Sequence, residues 1–211
     1  MTFPTVAFPG GNAVMPTFLD HQESGAVAST YTFSGLSFGT PRADRYIAVG
    51  VAWLGSPLKT LLSATIGGVA APILVQSTSI RTTAWIIALV PAGTSGAVVV
   101  NFSGNVVSVS VDVYSITGIP SATPSAVAAS NASAPTATFS IPANGAVMGI
   151  AAGLSASSVS WSGINQDIVV SLSGRVTAAS ASFAVANPSL TATCTFSPSG
   201  TDSGCFLLFS P

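Results

Sequence analysis

Val106-Val-Ser-Val-Ser-Val-Asp-Val-Tyr114 is the stretch whose reading decides the fold of this chain. Side chains alternate faces along an extended backbone, so Val107, Val109, Val111 and Val113 fall on one side and Ser108, Ser110 and Asp112 on the other. The spacing predicts a half-buried strand, with valines facing a core and hydroxyl and carboxylate groups facing solvent.

Working outward, β-branched and aromatic residues concentrate in further short runs at 31–38, 46–54, 61–66, 73–78, 82–90, 97–102, 136–141, 146–154, 158–162, 168–172, 176–185, 190–196 and 204–209. Between them stand turn formers such as Gly39-Thr-Pro41, Gly67-Gly68, Pro91-Ala-Gly93, Ser103-Gly-Asn105 and Pro142-Ala-Asn-Gly145. No stretch combines a helical period with caps. The expected fold is all-β, a β-sandwich of jelly-roll type with Greek-key connections.

Composition narrows the function classes. The chain has 211 residues, 48% of them hydrophobic and 5% charged, with a net charge of -1. Its mean hydropathy is +0.67. Disorder requires the opposite balance. Nucleic-acid binding requires a basic footprint, and Arg42, Arg45, Lys59, Arg81 and Arg175 are dispersed. No charge interrupts residues 82–111 or 113–166, yet Ser, Thr, Gly, Asn and Pro break both segments well short of the roughly 20 apolar residues a spanning helix needs. An outer-membrane barrel fits the alternation and the aromatic ending Cys205-Phe-Leu-Leu-Phe209, but it needs export, and the first positive residue is Arg42. The expectation is therefore a soluble product made in the cytoplasm, with no membrane partner. About a quarter of the residues are Ser or Thr, which take the place of charges on outward strand faces. A near-neutral surface of that kind favours association.

The two halves of the chain are similar. Thr32-Phe-Ser34 recurs as Thr138-Phe-Ser140, Ala48-Val-Gly-Val-Ala52 as Val147-Met-Gly-Ile-Ala151, Ser63-Ala-Thr-Ile-Gly-Gly-Val69 as Ser158-Val-Ser-Trp-Ser-Gly-Ile164, and Asn101-Phe-Ser103 as Thr195-Phe-Ser197. The order is kept and the offsets fall through 106, 99, 95 and 94 residues, as a diverged duplication leaves them. The organisation expected is an extended arm at 1–28, a first sandwich half at 29–118, a linker at 119–134 and a second half at 135–211. Phe3, Phe8 and Phe18 alternate with Pro and Gly in the arm and are its candidate contacts to a partner. Cys194 and Cys205 flank the turn-forming Ser197-Pro-Ser-Gly-Thr-Asp-Ser203, so a hairpin about Ser199-Gly200 faces them across two strands. Buried thiols are the reading for a cytoplasmic product, and a disulfide formed after release stays open.

Chemistry-bearing residues are few. The single histidine, His21, lies in Asp20-His-Gln-Glu23, too few ligands for zinc, and reads as structural or surface. There is no Gly-x-Ser-x-Gly elbow, phosphate-binding loop or dinucleotide fingerprint. Paired carboxylates must come from Asp20, Glu23, Asp44, Asp112, Asp167 and Asp202, and a sandwich brings Asp112 and Asp167 together most readily. Asp44 reads as a loop residue between Arg42 and Arg45, Asp112 as part of a polar strand face, and Asp202 as a hairpin tip. No catalytic, cofactor-binding or metal-binding residue is expected, and the chain reads as a non-enzyme. Tyr31, Tyr46, Trp53, Trp85 and Tyr114 lie inside strand-like runs and read as core. Trp161, which ends at the turn Trp161-Ser-Gly163, is the candidate glycan-stacking residue.

Tyr31-Thr-Phe-Ser34, Ala43-Asp-Arg45, Ala64-Thr-Ile-Gly-Gly-Val-Ala-Ala71, Val90-Pro-Ala-Gly-Thr-Ser-Gly96 and Trp161-Ser-Gly-Ile-Asn-Gln-Asp167 together resemble small β-rich virion structural proteins of tailed phages and prophages of alphaproteobacteria. The resemblance spans about residues 30–211 and is carried by turn and strand phrases. It implies a virion component assembled in the bacterial cytoplasm, contacting the major capsid protein or other virion subunits and copies of itself. Capsid decoration is the function it implies first; a tail or fibre module binding host-surface glycan is the alternative.

Overall fold

The computed structural model describes residues 13–172, 174–200 and 202–211. The first half of the chain forms β1 (Met15–Ser24), β2 (Ala28–Ser37), β3 (Tyr46–Leu54), β4 (Leu61–Ile66), β5 (Val69–Ala70), β6 (Ile73–Gln76), β7 (Arg81–Leu89), β8 (Ser95–Val106) and β9 (Ser108–Thr117). The second forms β10 (Ala126–Ser130), β11 (Thr136–Ile141), β12 (Gly145–Gly153), β13 (Ser158–Ser162), β14 (Asn165–Val170), β15 (Arg175–Phe183), β16 (Asn187–Ser197) and β17 (Asp202–Phe209). Every pairing is antiparallel.

Four sheets stack in layers. In the first half, an inner sheet in the order β1-β9-β3-β7-β6 packs on an outer sheet in the order β2-β8-β4-β5. Val49, Val51, Ile86, Val109, Val111 and Val113 meet Phe33, Val98 and Val100 between them. In the second half, an inner sheet β10-β17-β12-β15-β14 packs on an outer sheet β11-β16-β13, through Val147, Phe206 and Leu208 against Phe139, Leu190 and Ala192. The two inner sheets then close on each other through Ala48, Trp85, Ile87 and Tyr114 on one side and Met148, Ile150, Cys205 and Leu207 on the other. The all-β sandwich expected from the alternation is present, twice.

The two halves share one strand order, element for element. Replacing β1, β9, β3, β7 and β6 by β10, β17, β12, β15 and β14 turns one inner sheet into the other, and β2-β8-β4 maps in the same way onto β11-β16-β13. Register is conserved too. Gly50 pairs with Asp112 and Trp85, and Met148 pairs with Leu207 and Ser180. The sequence phrases, however, align Gly50 with Gly149, one residue out of phase. A Cβ on Gly50 would lie 2.7 Å from Ile150 Cδ1 of the opposite half, whereas one on Gly149 would lie 2.7 Å from Trp161 Cη2 within its own half. A slip of one residue exchanges the two faces of a strand, and side-chain direction matches Gly50 to Met148.

Two expectations about exposure and pairing change. The polar face of β9 is covered by the second half, so Ser108, Ser110 and Asp112 are 1%, 0% and 0% exposed and the strand is buried on both faces. Strands β16 and β17 lie in different sheets, so Cys194 and Cys205 do not face each other across a hairpin. Both are buried free thiols.

Segments read as arm and linker also carry strands. Met15–Ser24, within the stretch read as an arm, is β1 and pairs with β9 along its length, interrupted by a bulge between Phe18 and Asp20. Its Pro16 is tolerated because β1 is an edge strand. Just before it, Val14 is fully buried between the halves; its N–H donates to Asn144 O at 2.9 Å and its carbonyl accepts from Ser182 Oγ at 2.8 Å. The N-terminal segment thus ties the first half to the second. Within 119–134, Ala126–Ser130 forms β10 on the edge of the second inner sheet.

Candidate functional site

The polar residues that the sequence leaves inside the molecule gather at the seam between the inner sheets. Strand β9 presents Ser108, Ser110, Asp112 and Tyr114 toward the second half, because its valines face the outer sheet. Strand β1 sets His21 directly opposite Asp112 and Glu23 opposite Ser110. His21 Nδ1 donates to Asp112 Oδ1 at 2.7 Å, and His21 Nε2 stands 3.6 Å from Glu23 Oε2. Asp20, its neighbour in sequence, turns away, accepting from the backbone N–H groups of His21 at 2.8 Å and Ser37 at 2.7 Å.

The electrostatics follow from burial. Asp112 has no exposed surface, and desolvation raises its pKa against the opposing pull of His21, with Asp167 raising it further. Burial lowers the pKa of His21, but its hydrogen bond to Asp112 and the charges of Asp112 and Glu23 outweigh that, for a net rise. His21 Nε2, Asp112 Oδ2 and Ser110 Oγ are buried with no hydrogen-bond partner among the described residues. The arrangement can hold a proton between imidazole and carboxylate inside the fold.

Asp112 and Asp167, the pair a sandwich could bring together most readily, are linked across the seam through Tyr114, and the Asp167 charge acts on Asp112. Tyr114 lies two residues from Asp112 on the same face of β9, and its hydroxyl donates to Asp167 Oδ2 at 2.8 Å. Ser180 Oγ donates to the same oxygen at 2.7 Å. Burial pushes the Tyr114 phenol strongly upward, and the Asp167 and Asp112 charges add to the shift. Asp167 is itself raised by desolvation, partly countered by the Ser180 and Tyr114 hydrogen bonds. Asp44 pairs with Arg42 at the surface, at 3.0 and 3.1 Å, as its loop position suggests. Asp202 does not sit on a hairpin tip: it begins β17, is 1% exposed, and accepts from Gly200 N at 3.2 Å.

Of the residues proposed as contacts, Phe3 and Phe8 lie outside the described residues. Phe18 packs edge-on against Tyr114, with ring centroids 5.4 Å apart, inside its own chain. Trp161 is half-buried, T-shaped against Phe206, and donates from Nε1 to Thr177 Oγ1 at 2.9 Å. Among the described residues no cavity opens, and no three His, Cys, Asp or Glu side chains gather in a metal-holding arrangement. The seam is fastened by Trp85 Nε1 donating to Cys205 O at 3.0 Å, and by Cys205 Sγ lying 3.2 Å from Thr83 O.

The outermost surface of the second half has a different chemistry. The exposed side of β11-β16-β13 carries Thr136, Thr138 and Ser140, then Thr191, Thr193, Thr195 and Ser197, then Ser158, Ser160 and Ser162. Cross-strand hydroxyls of Thr136 and Thr193 lie 2.7 Å apart, and those of Thr138 and Thr191 lie 2.9 Å apart. No charged or aromatic side chain interrupts these positions.

No protein-family model, curated protein or solved structure matches this chain.

Proposed function

We propose that this chain is a structural subunit of a phage particle, made in the bacterial cytoplasm, bound to capsid protein and to copies of itself, and decorating the capsid shell. The observation that carries the reading is the uncharged hydroxyl face of β11-β16-β13 on a doubly sandwiched, cross-tied block. Such a surface lacks the charge that keeps a free protein from associating, and its cost disappears once the subunit is fixed in an assembly. The interior ionisable groups support the same reading, since His21, Asp112, Tyr114 and Asp167 all hold strands or halves together. The resemblance of phrases in residues 30–211 to virion proteins of tailed phages directs the proposal to a phage.

With β5 and β6 counted as one bent fifth strand, so that β7, β8 and β9 become the sixth, seventh and eighth, the first half wraps in the order 1-8-3-6-5 against 2-7-4-5. We read this as jelly-roll wrapping, an architecture that serves viral capsid and lectin domains among others. Architecture by itself assigns no function, so the assignment rests on the surface and the sequence phrases.

Quantitative mass spectrometry of purified particles tests the proposal. The expected result is a copy number close to that of the major capsid protein, or a simple fraction of it set by shell symmetry. A few copies per particle, or none, would overturn it.

A further inference from the structure

We propose that Arg81 forms a binding site for a small inorganic anion, chloride in ordinary media, enclosed at the seam between the two halves. Arg81 opens β7 and is 0% exposed. Its side chain faces the second half and reaches across β3 to β9, where Nη1 donates to Ser108 Oγ at 3.2 Å. Nε and Nη2 are buried and donate to nothing among the described residues.

The same fold shows what a fully provided buried arginine looks like. Arg45, 1% exposed, spends all its donors on carbonyl oxygens: Nε on Val90, Nη1 on Phe38 and Gly39, and Nη2 on Ala92 and Gly93, at 2.8–3.0 Å. Arg81 has no such cage, and no carboxylate of the chain substitutes for one. All six acids are described residues and none pairs with Arg81, although Asp112 Oδ2 and Asp202 Oδ1 are themselves buried without a partner. Asp20 holds the backbone of His21 and Ser37; Glu23 and Asp112 flank His21; Asp44 pairs with Arg42; Asp167 takes Tyr114 and Ser180; Asp202 takes Gly200. None lies within 4.0 Å of the Arg81 guanidinium.

A guanidinium cannot escape by losing its proton at neutral pH; burial lowers that of Arg81 only to about 10. An anion from solution would offset this buried charge, where water would only satisfy its donors. The neighbourhood suits one. Ser108 accepts from Arg81 and keeps its own hydroxyl proton to donate, and Ser110 Oγ, next along the same face of β9, has no partner. Across the seam, Ser203 Oγ donates to the backbone carbonyl of Arg81, so both halves enclose the site. Arg81, Ser108 and Ser110 are all fully buried, which limits the occupant to a small anion.

The test uses the full chain. Thermal unfolding is followed at constant ionic strength while sodium chloride replaces sodium gluconate, whose anion is too large to enter. A rise in Tm of about 3–5 °C across the exchange is expected. The rise is expected to vanish in Arg81→Met. Crystals grown in sodium bromide provide a readout independent of any variant, with an anomalous peak expected within hydrogen-bonding distance of Arg81 Nε or Nη2. A Tm indifferent to the anion together with only water at the guanidinium would overturn the proposal, as would an anion response that persists unchanged in Arg81→Met.

Discussion

His21 and Asp112, 91 residues apart in sequence, face each other across the β1–β9 ladder with Nδ1 and Oδ1 at 2.7 Å. This bond clamps the edge strand β1 onto β9 at a point where Asp112 has no access to water. Removing one partner of a buried ionic bond leaves the other uncompensated. Asp112→Ala is expected to lose about 2–4 kcal/mol in urea unfolding, while Asp44→Ala, at the exposed Arg42 pair, leaves the midpoint unchanged. Equal, small effects from both substitutions would contradict the clamp.

The pH dependence of stability follows from the direction of four shifts. His21 is raised above 6.5, and Asp112, Asp167 and Asp202 are raised above 3.8, so the folded chain binds more protons than the unfolded chain over each range. Stability then falls as pH rises. The His21 contribution is complete below pH 6.5 and is lost as pH climbs through the raised folded value. Tm is expected to decline from pH 5 to pH 8, with His21→Gln flattening the upper part of that decline. A wild-type Tm that is constant or increases with pH over this interval would contradict the assignment.

Gly50 and Gly149 occupy matching sequence phrases but opposite faces. Alanine at 149 sets a Cβ 2.7 Å from the Trp161 ring, which Phe206 and Thr177 hold in place. Alanine at 50 meets Ile150 Cδ1 at the same distance, a methyl group that can rotate away, and the Trp85 ring only at 3.3 Å. Gly149→Ala is expected to cost about 1–3 kcal/mol, and Gly50→Ala distinctly less. The reverse order, read from denaturant midpoints, would contradict this packing of the two glycines.

Cys194 and Cys205 lie in different sheets, buried, with burial raising both thiols, Cys205 to about 11. Neither is expected to react with Ellman's reagent in the native state, and both react on unfolding. Mobility in denaturing gels is expected to be the same with and without reductant. A reductant-sensitive band would indicate a bridge that this packing does not form.

Much of the fold is legible in the sequence because strand faces are written locally. The runs at 46–54, 61–66, 136–141 and 158–162 coincide with β3, β4, β11 and β13, whose alternation and bounding turns are both clear. Strand β1 was hidden because Pro16 and the glycines before it suggest irregular chain, and only pairing with β9 makes it extended. The burial of Ser110 and Asp112 was hidden for a related reason. Alternation reports two faces, not what covers them, and the cover comes from the other half of the molecule. The Asp112–Asp167 approach was foreseeable from the scarcity of acids, but its mediation by Tyr114 and its link to His21 depend on register over long separations. Arg81 carried one available signal: a lone cation heading an apolar strand run, with no acid between it and Asp112.

The proposed attachment of this subunit to a capsid shell is tested most directly by electron cryomicroscopy of purified particles with the chain labelled. The expected image places the label and a four-layered β density at symmetry-repeated positions over the shell. Label confined to the tail, or absent from the particle, would contradict it.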